Sequence, residues 1–86
     1  NWYNNVKRFF FFFSKNVEFR LKALRKSRNI SQLKLALDLN MNQNSISRYE
    51  NGEREADYET LIAFADYFGV SVDYLLGRTD NPNVAK

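Results

Sequence analysis

Apolar residues recur at helical spacing from Glu18 to Gly77, a stretch free of proline, and the polar residues between them divide it into five runs. Phe19, Leu21, Leu24 and Ile30 open the series. Arg20, Lys22, Arg25, Lys26 and Arg28 fill its gaps, so an amphipathic helix with a basic face is predicted over 16–27. Asn29 ends it, because asparagine tolerates the left-handed backbone that helix ends need. Ser31 is an N-cap for a second helix, whose buried stripe is Leu35, Ala36 and Leu39. Ala36 is small where two steeply crossing helices would bring their backbones together, and a larger side chain there would overpack the contact.

Asn40 takes the next turn, Met41 plugs the core, and Asn42 caps a third helix expected to end near Tyr49 or Glu50. Ile46 and Tyr49 point inward on that helix, which leaves Gln43, Asn44, Ser47 and Arg48 outside. Asn51-Gly52 is a turn. Asp57 caps a fourth helix with Leu61, Ile62, Phe64, Ala65 and Phe68 as its apolar face, and Gly69 stops it. Ser71 caps a short fifth helix through Leu76, with Val72 and Leu75 inward and Gly77 as terminator. The ending from Arg78 onward has no apolar period, contains the single proline, and is expected to fray.

The first sixteen residues break the pattern. Phe9 to Phe13 are five consecutive phenylalanines, flanked by Trp2, Tyr3 and Val6. A signal peptide is one reading, but the apolar run is shorter than an h-region and no small-residue cleavage site follows. In a second, Val17 is an alternative start and what precedes it is artefact. The reading favoured here is an ordered dimerisation element, helix or strand, since so much aromatic area would not stay solvated.

Composition narrows the function. Eighty-six residues make one small domain. Cysteine and histidine are both absent, which removes disulfides, thiolate chemistry and the commonest general base and metal ligand. An intracellular protein that is not an enzyme is expected. Asp66, Asp73 and Asp80 have nothing converging on them, so no metal is expected, and Tyr58, Tyr67 and Tyr74 read as core or rim aromatics. No run is long enough to span a membrane, and neither a cofactor nor a small-molecule ligand is indicated.

The net charge of +3 is unevenly distributed. Residues 18–50 carry seven basic groups against Glu18, Asp38 and Glu50, whereas 51–86 carry Arg54, Arg78 and Lys86 against seven acids. A basic first half suits a polyanion.

RLKALRKSRNISQ, the small Ala36, SISRYENG and FGVSVDYLLGRTD together resemble the helix-turn-helix family of phage repressors and Cro proteins, the xenobiotic-response-element type, over about Val17 to Asp80. The resemblance implies an all-α, five-helix lambda-repressor-like DNA-binding domain at 17–80, with an extra aromatic N-terminal segment at 1–16 and a tail at 81–86. It implies that Gln43, Asn44, Ser45 and Arg48 face base edges in the major groove. The chemistry agrees, because Gln and Asn can bond adenine bidentately and Arg can bond guanine. Gln32, Asn42, Ser47, the backbone at Asn51 and Gly52, and Arg54 would hold phosphates, with Gln32 also buttressing Gln43. Arg25 and Glu50 fall where the family has a structural ion pair. Two departures stand out: the loop NGEREAD is acidic where the family's is usually basic, and Asn40 replaces the usual turn glycine.

The expectation is therefore a cytoplasmic, nucleoid-associated transcriptional regulator of a bacterium or phage, a repressor acting as a homodimer on double-stranded DNA. Its pseudo-palindromic operator would take two recognition helices about 34 Å apart. The alternative is a protein-interaction or antitoxin-like module of the same fold.

Overall fold

The computed structural model describes residues 20–84. Helix α1 occupies 20–27 of these, followed by α2 (Gln32–Asp38), α3 (Gln43–Asn51), α4 (Tyr58–Phe68) and α5 (Val72–Leu75), and no strand occurs among the described residues. The all-α expectation is met. The aromatic run at 1–16, its dimerisation reading and the alternative start at Val17 lie outside the described residues.

One device ends all five helices. Asn29, Asn40, Gly52, Gly69 and Gly77 are left-handed, with φ of 56°, 54°, 83°, 67° and 76°. The residue after each sends its backbone N–H back to a carbonyl five positions earlier: Ile30 to Arg25, Met41 to Ala36, Glu53 to Arg48, Val70 to Ala65 and Arg78 to Asp73, at 2.8–3.2 Å. Those bonds satisfy carbonyls that a helix end leaves orphaned.

Three connectors share a further regularity. In Asn29-Ile30-Ser31, Asn40-Met41-Asn42 and Gly69-Val70-Ser71, a left-handed residue is followed by an apolar residue packed on the core and then by the next N-cap. Ser31 Oγ accepts from Lys34 N, Asn42 Oδ1 from Asn44 N and Ser71 Oγ from Tyr74 N. A chain that must reverse direction within three residues thus keeps its backbone groups paired and buries the middle side chain.

Leu21, Leu35, Ala36, Ile46, Tyr49, Phe64, Ala65, Phe68, Val70 and Leu75 form the core. Tyr49 meets Phe64 edge to face, ring centroids 5.6 Å apart, and so joins α3 to α4. Ile62 departs from expectation and is 52% exposed. Leu61, Phe64, Ala65 and Phe68 already fill the i, i+3, i+4, i+7 stripe of α4, and Ile62 lies about 100° round from Leu61.

Two boundaries and one ending also differ. Helix α3 runs on to Asn51, because its left-handed terminator is Gly52, and α5 stops at Leu75 with Leu76 as its cap. The ending expected to fray is tied back as far as Pro82. Pro82 O accepts from Ser71 N at 2.8 Å, and Asp80 pairs with Arg20 at 3.1 Å. Neither contact needs an apolar period, so hydropathy gave no sign of them.

Candidate nucleic-acid interface

Ala36, 1% exposed, is part of the core, and its carbonyl accepts from Met41 N in the Asn40-Met41-Asn42 turn that joins α2 to α3. The far end of α3 is locked from behind. Arg25 Nε and Nη2 fork onto Glu50 Oε2 and Oε1 at 2.7 and 3.0 Å, while Arg25 Nη1 donates to Ile30 O at 2.8 Å. Gln32 Nε2 adds a 3.1 Å bond to Glu50 Oε1. The Glu50 side chain is fully buried, so each of these bonds offsets part of the cost of taking its charge out of water. Arg25 and Glu50 are the structural ion pair expected of them. They join α1, its following turn, the start of α2 and the end of α3 into one rigid frame.

Gln43, Asn44 and Arg48 are exposed, Asn44 and Arg48 on the side of α3 opposite the buried face and Gln43 at the start of the helix, on the flank it shares with Glu50. Their side chains make no hydrogen bond or ion pair with another described residue. Asn44 and Arg48, four residues apart, stand one above the other on the outward side. The other expected contacts are already engaged within the protein. Ser45 is half-buried and accepts a hydrogen bond from Arg54 Nη1 at 3.4 Å, and the Arg54 guanidinium lies 5.3 Å from the Tyr49 ring centre. Ser47 Oγ accepts from Asn51 Nδ2 at 3.3 Å, and Asn42 Oδ1 caps α3. Gln32 was expected against Gln43, but its amide donates to Glu50 instead. Gly52 is exposed and left-handed, at the loop's start.

A helix-turn-helix family model matches residues 21–75, well over half of the chain. The chain belongs to the helix-turn-helix family. It is 38% identical over 61 residues to the HTH-type transcriptional regulator ImmR of Bacillus subtilis, covering 71% of this chain and 48% of that one. It is 39% identical over 64 residues to the uncharacterized HTH-type transcriptional regulator YqaE of the same organism, covering 74% and 55%. With the cryptic phage CTXphi transcriptional repressor RstR of Vibrio cholerae it shares 36% over 59 residues, covering 69% and 53%. The chain spans about half the length of these curated relatives.

Around the helix-turn-helix, tertiary contacts sort the basic residues of the first half. Arg20 pairs with Asp80 and lies 4.3 Å from the Tyr74 ring centre. Arg28 Nη2 donates to Phe68 O, at the negative end of the α4 dipole. Arg25 is buried, which leaves Lys22 and Lys26 as the solvated cations of α1. Sequence reasoning also missed a clamp between α2 and α4. Asp38 accepts from Tyr67 Oη at 2.6 Å and from Lys34 Nζ at 2.9 Å. The Tyr67 hydroxyl and then the Lys34 ammonium hold its carboxyl below the usual range, and the same bond to Asp38 pushes the Tyr67 phenol up. A signal did exist: an acidic residue in the last turn of α2 opposes the helix dipole and implies a donor nearby.

Proposed function

We propose that this helix-turn-helix domain binds double-stranded DNA as a sequence-specific transcriptional regulator, with α3 in the major groove. The observation that carries the reading is the contrast between the two sides of α3. Its rear is held by a buried, fully bonded charge pair, while the exposed side chains of Asn44 and Arg48 on the far side, and of Gln43 at its start, bond to no other described residue. Unengaged donors and acceptors on an exposed helix that is anchored from behind are what base readout requires: Gln43 and Asn44 match adenine, and Arg48 matches guanine. Asn42, Ser47, Gln32 and the backbone at Asn51-Gly52 flank that face and suit phosphate contacts that set register.

Two copies on a pseudo-palindrome, recognition helices about 34 Å apart, would double the contact. Repression is the simplest outcome for a domain that occludes a promoter, and among the relatives RstR is named a transcriptional repressor. Such a role would be exercised at the nucleoid, in the cytoplasm. Among the described residues no helix is long and apolar enough to cross a membrane.

The test is selection from a random duplex library followed by titration in salt. The selected duplex should bind with an affinity that falls steeply as salt rises. Gln43→Ala and Arg48→Ala should each reduce discrimination at one base pair by about 1–3 kcal/mol. Salt-independent binding, or unaltered selection by the double variant, overturns the reading.

A further inference from the structure

Arg54 sits in the loop after α3, where the resemblance implies a phosphate contact, yet its guanidinium is folded back along the helix. It reaches Ser45 Oγ at 3.4 Å and overlies the Tyr49 ring at 5.3 Å. Residues 45 and 49 are one turn apart on the same flank of α3, and at about 100° per residue that flank begins beside Arg48. A side chain from outside the helix has therefore joined the helix's own surface. Its tip lies level with the first turn of α3, the end closest to Asn44 and Gln43.

Two features separate this arginine from a phosphate anchor. Glu53 and Glu55 on either side of it and Asp57 beyond are all exposed, so the loop carries net negative charge and its approach to a sugar-phosphate strand is opposed. The aromatic shelf and the serine hydroxyl also restrict a long side chain that would otherwise sample many rotamers. Such restriction favours a directional contact over a diffuse one. A guanidinium fork held at the flank of a groove-reading helix matches the O6 and N7 acceptors of guanine.

We propose that Arg54 is a specificity-determining residue that reads a guanine beside the one read by Arg48, held in place by Ser45 and Tyr49. The assignment rests on α3 being the reading helix. Ser45 then acts as a positioning residue and makes no base contact of its own, a change from the role the resemblance implies.

The experiment uses the full chain on duplexes selected by the wild-type protein, with Arg54→Lys, which keeps the charge and loses the fork. The expected result is a loss of about tenfold in preference at one guanine position of the half-site, with affinity for random duplex within about twofold of wild type. Ser45→Ala should weaken preference at that same position and at no other. If Arg54→Lys leaves every position's preference intact, Arg54 is a phosphate contact and the assignment is wrong. If Ser45→Ala shifts a different position, Ser45 reads independently and the positioning role fails. A wild-type chain that selects no duplex overturns the proposed function itself, an outcome visible before either variant is assayed.

Discussion

Helices α2 and α3 are joined in the same way as α4 and α5, yet only the first pair carries the surface proposed to read DNA. Asn40-Met41-Asn42 and Gly69-Val70-Ser71 have left-handed first residues, at φ of 54° and 67°, and return bonds of 2.8 and 3.0 Å. Each buries its middle side chain partly or fully and caps the next helix through a side-chain oxygen. The helices they lead into are unlike. Helix α3 has nine residues, a buried anchor at Glu50 and an outer face whose Asn44 and Arg48 side chains bond to no other described residue. Helix α5 has four, and it is hemmed in by Arg20 over Tyr74 and by the Pro82 carbonyl at its start. The turn sets the direction of a helix; the lock behind it and the freedom in front of it make a reading element.

The largest effect expected from breaking this asymmetry is at the lock. Glu50→Ala should cost about 3–5 kcal/mol in chemical denaturation, because it leaves the Arg25 guanidinium in a buried site without its countercharge. Asp73, which pairs with Arg78 at 3.5 Å on the surface of α5, should show little effect when changed to Ala. A combined Arg25→Met and Glu50→Leu change should recover much of the loss, since it removes both charges together. If Glu50→Ala and Asp73→Ala destabilise equally, the lock is not what distinguishes the two pairs.

A smaller effect separates the turns themselves. A Cβ at Gly69 would meet nothing within 4 Å, so Gly69→Ala isolates the backbone strain of a positive φ. Its cost should be roughly 1–2 kcal/mol. Asn40 already carries a Cβ at φ 54°, so Asn40→Ala forfeits only asparagine's local preference for that conformation and should cost less. Asn40→Gly should be neutral or mildly stabilising. Equal losses for Gly69→Ala and Asn40→Ala, read as denaturation midpoints, would mean that packing around the turn dominates over φ.

These turns were legible in the chain because every part of them has a local cause. Asparagine or glycine at a left-handed position, an apolar plug and an oxygen-bearing cap each act within a few residues of themselves. The five runs and most of the core followed from period alone. Arg25 with Glu50 was another matter: nothing local links residues 25 apart, and only the resemblance put them together. Contacts without period or precedent stayed hidden. Tyr67 with Asp38, Arg28 with the Phe68 carbonyl and the return of the chain at Pro82 all depend on how finished helices pack. Arg54 was assigned by position in a loop, and the loop's path was needed to find it lying on Tyr49. Ile62 was misplaced because a dense apolar stretch does not reveal which of two adjacent residues takes the rim.

The smallest expected effect concerns a hydrogen-bonded side-chain network that spans the two pairs, Lys34 and Asp38 on α2 with Tyr67 on α4. Asp38 has its pKa lowered in the fold, first by the Tyr67 hydroxyl and then by Lys34, and Asp57 has its own lowered by its bonds to Thr60. Their contribution is present above the ordinary carboxylate pKa of about 4 and is lost as pH falls through it toward the folded value. Lys34 and Tyr67 are both raised by Asp38, so their contribution is present below about pH 10 and is lost as pH rises through the folded values. With no histidine in the chain, no side chain has an ordinary pKa between those limits, and the denaturation midpoint should form a plateau with two falling limbs. Asp38→Asn should flatten part of the acid limb and Tyr67→Phe part of the alkaline one. If neither variant changes its limb, the clamp contributes nothing between the pairs, and the shared core around Phe64 alone holds the α2–α3 frame against α4.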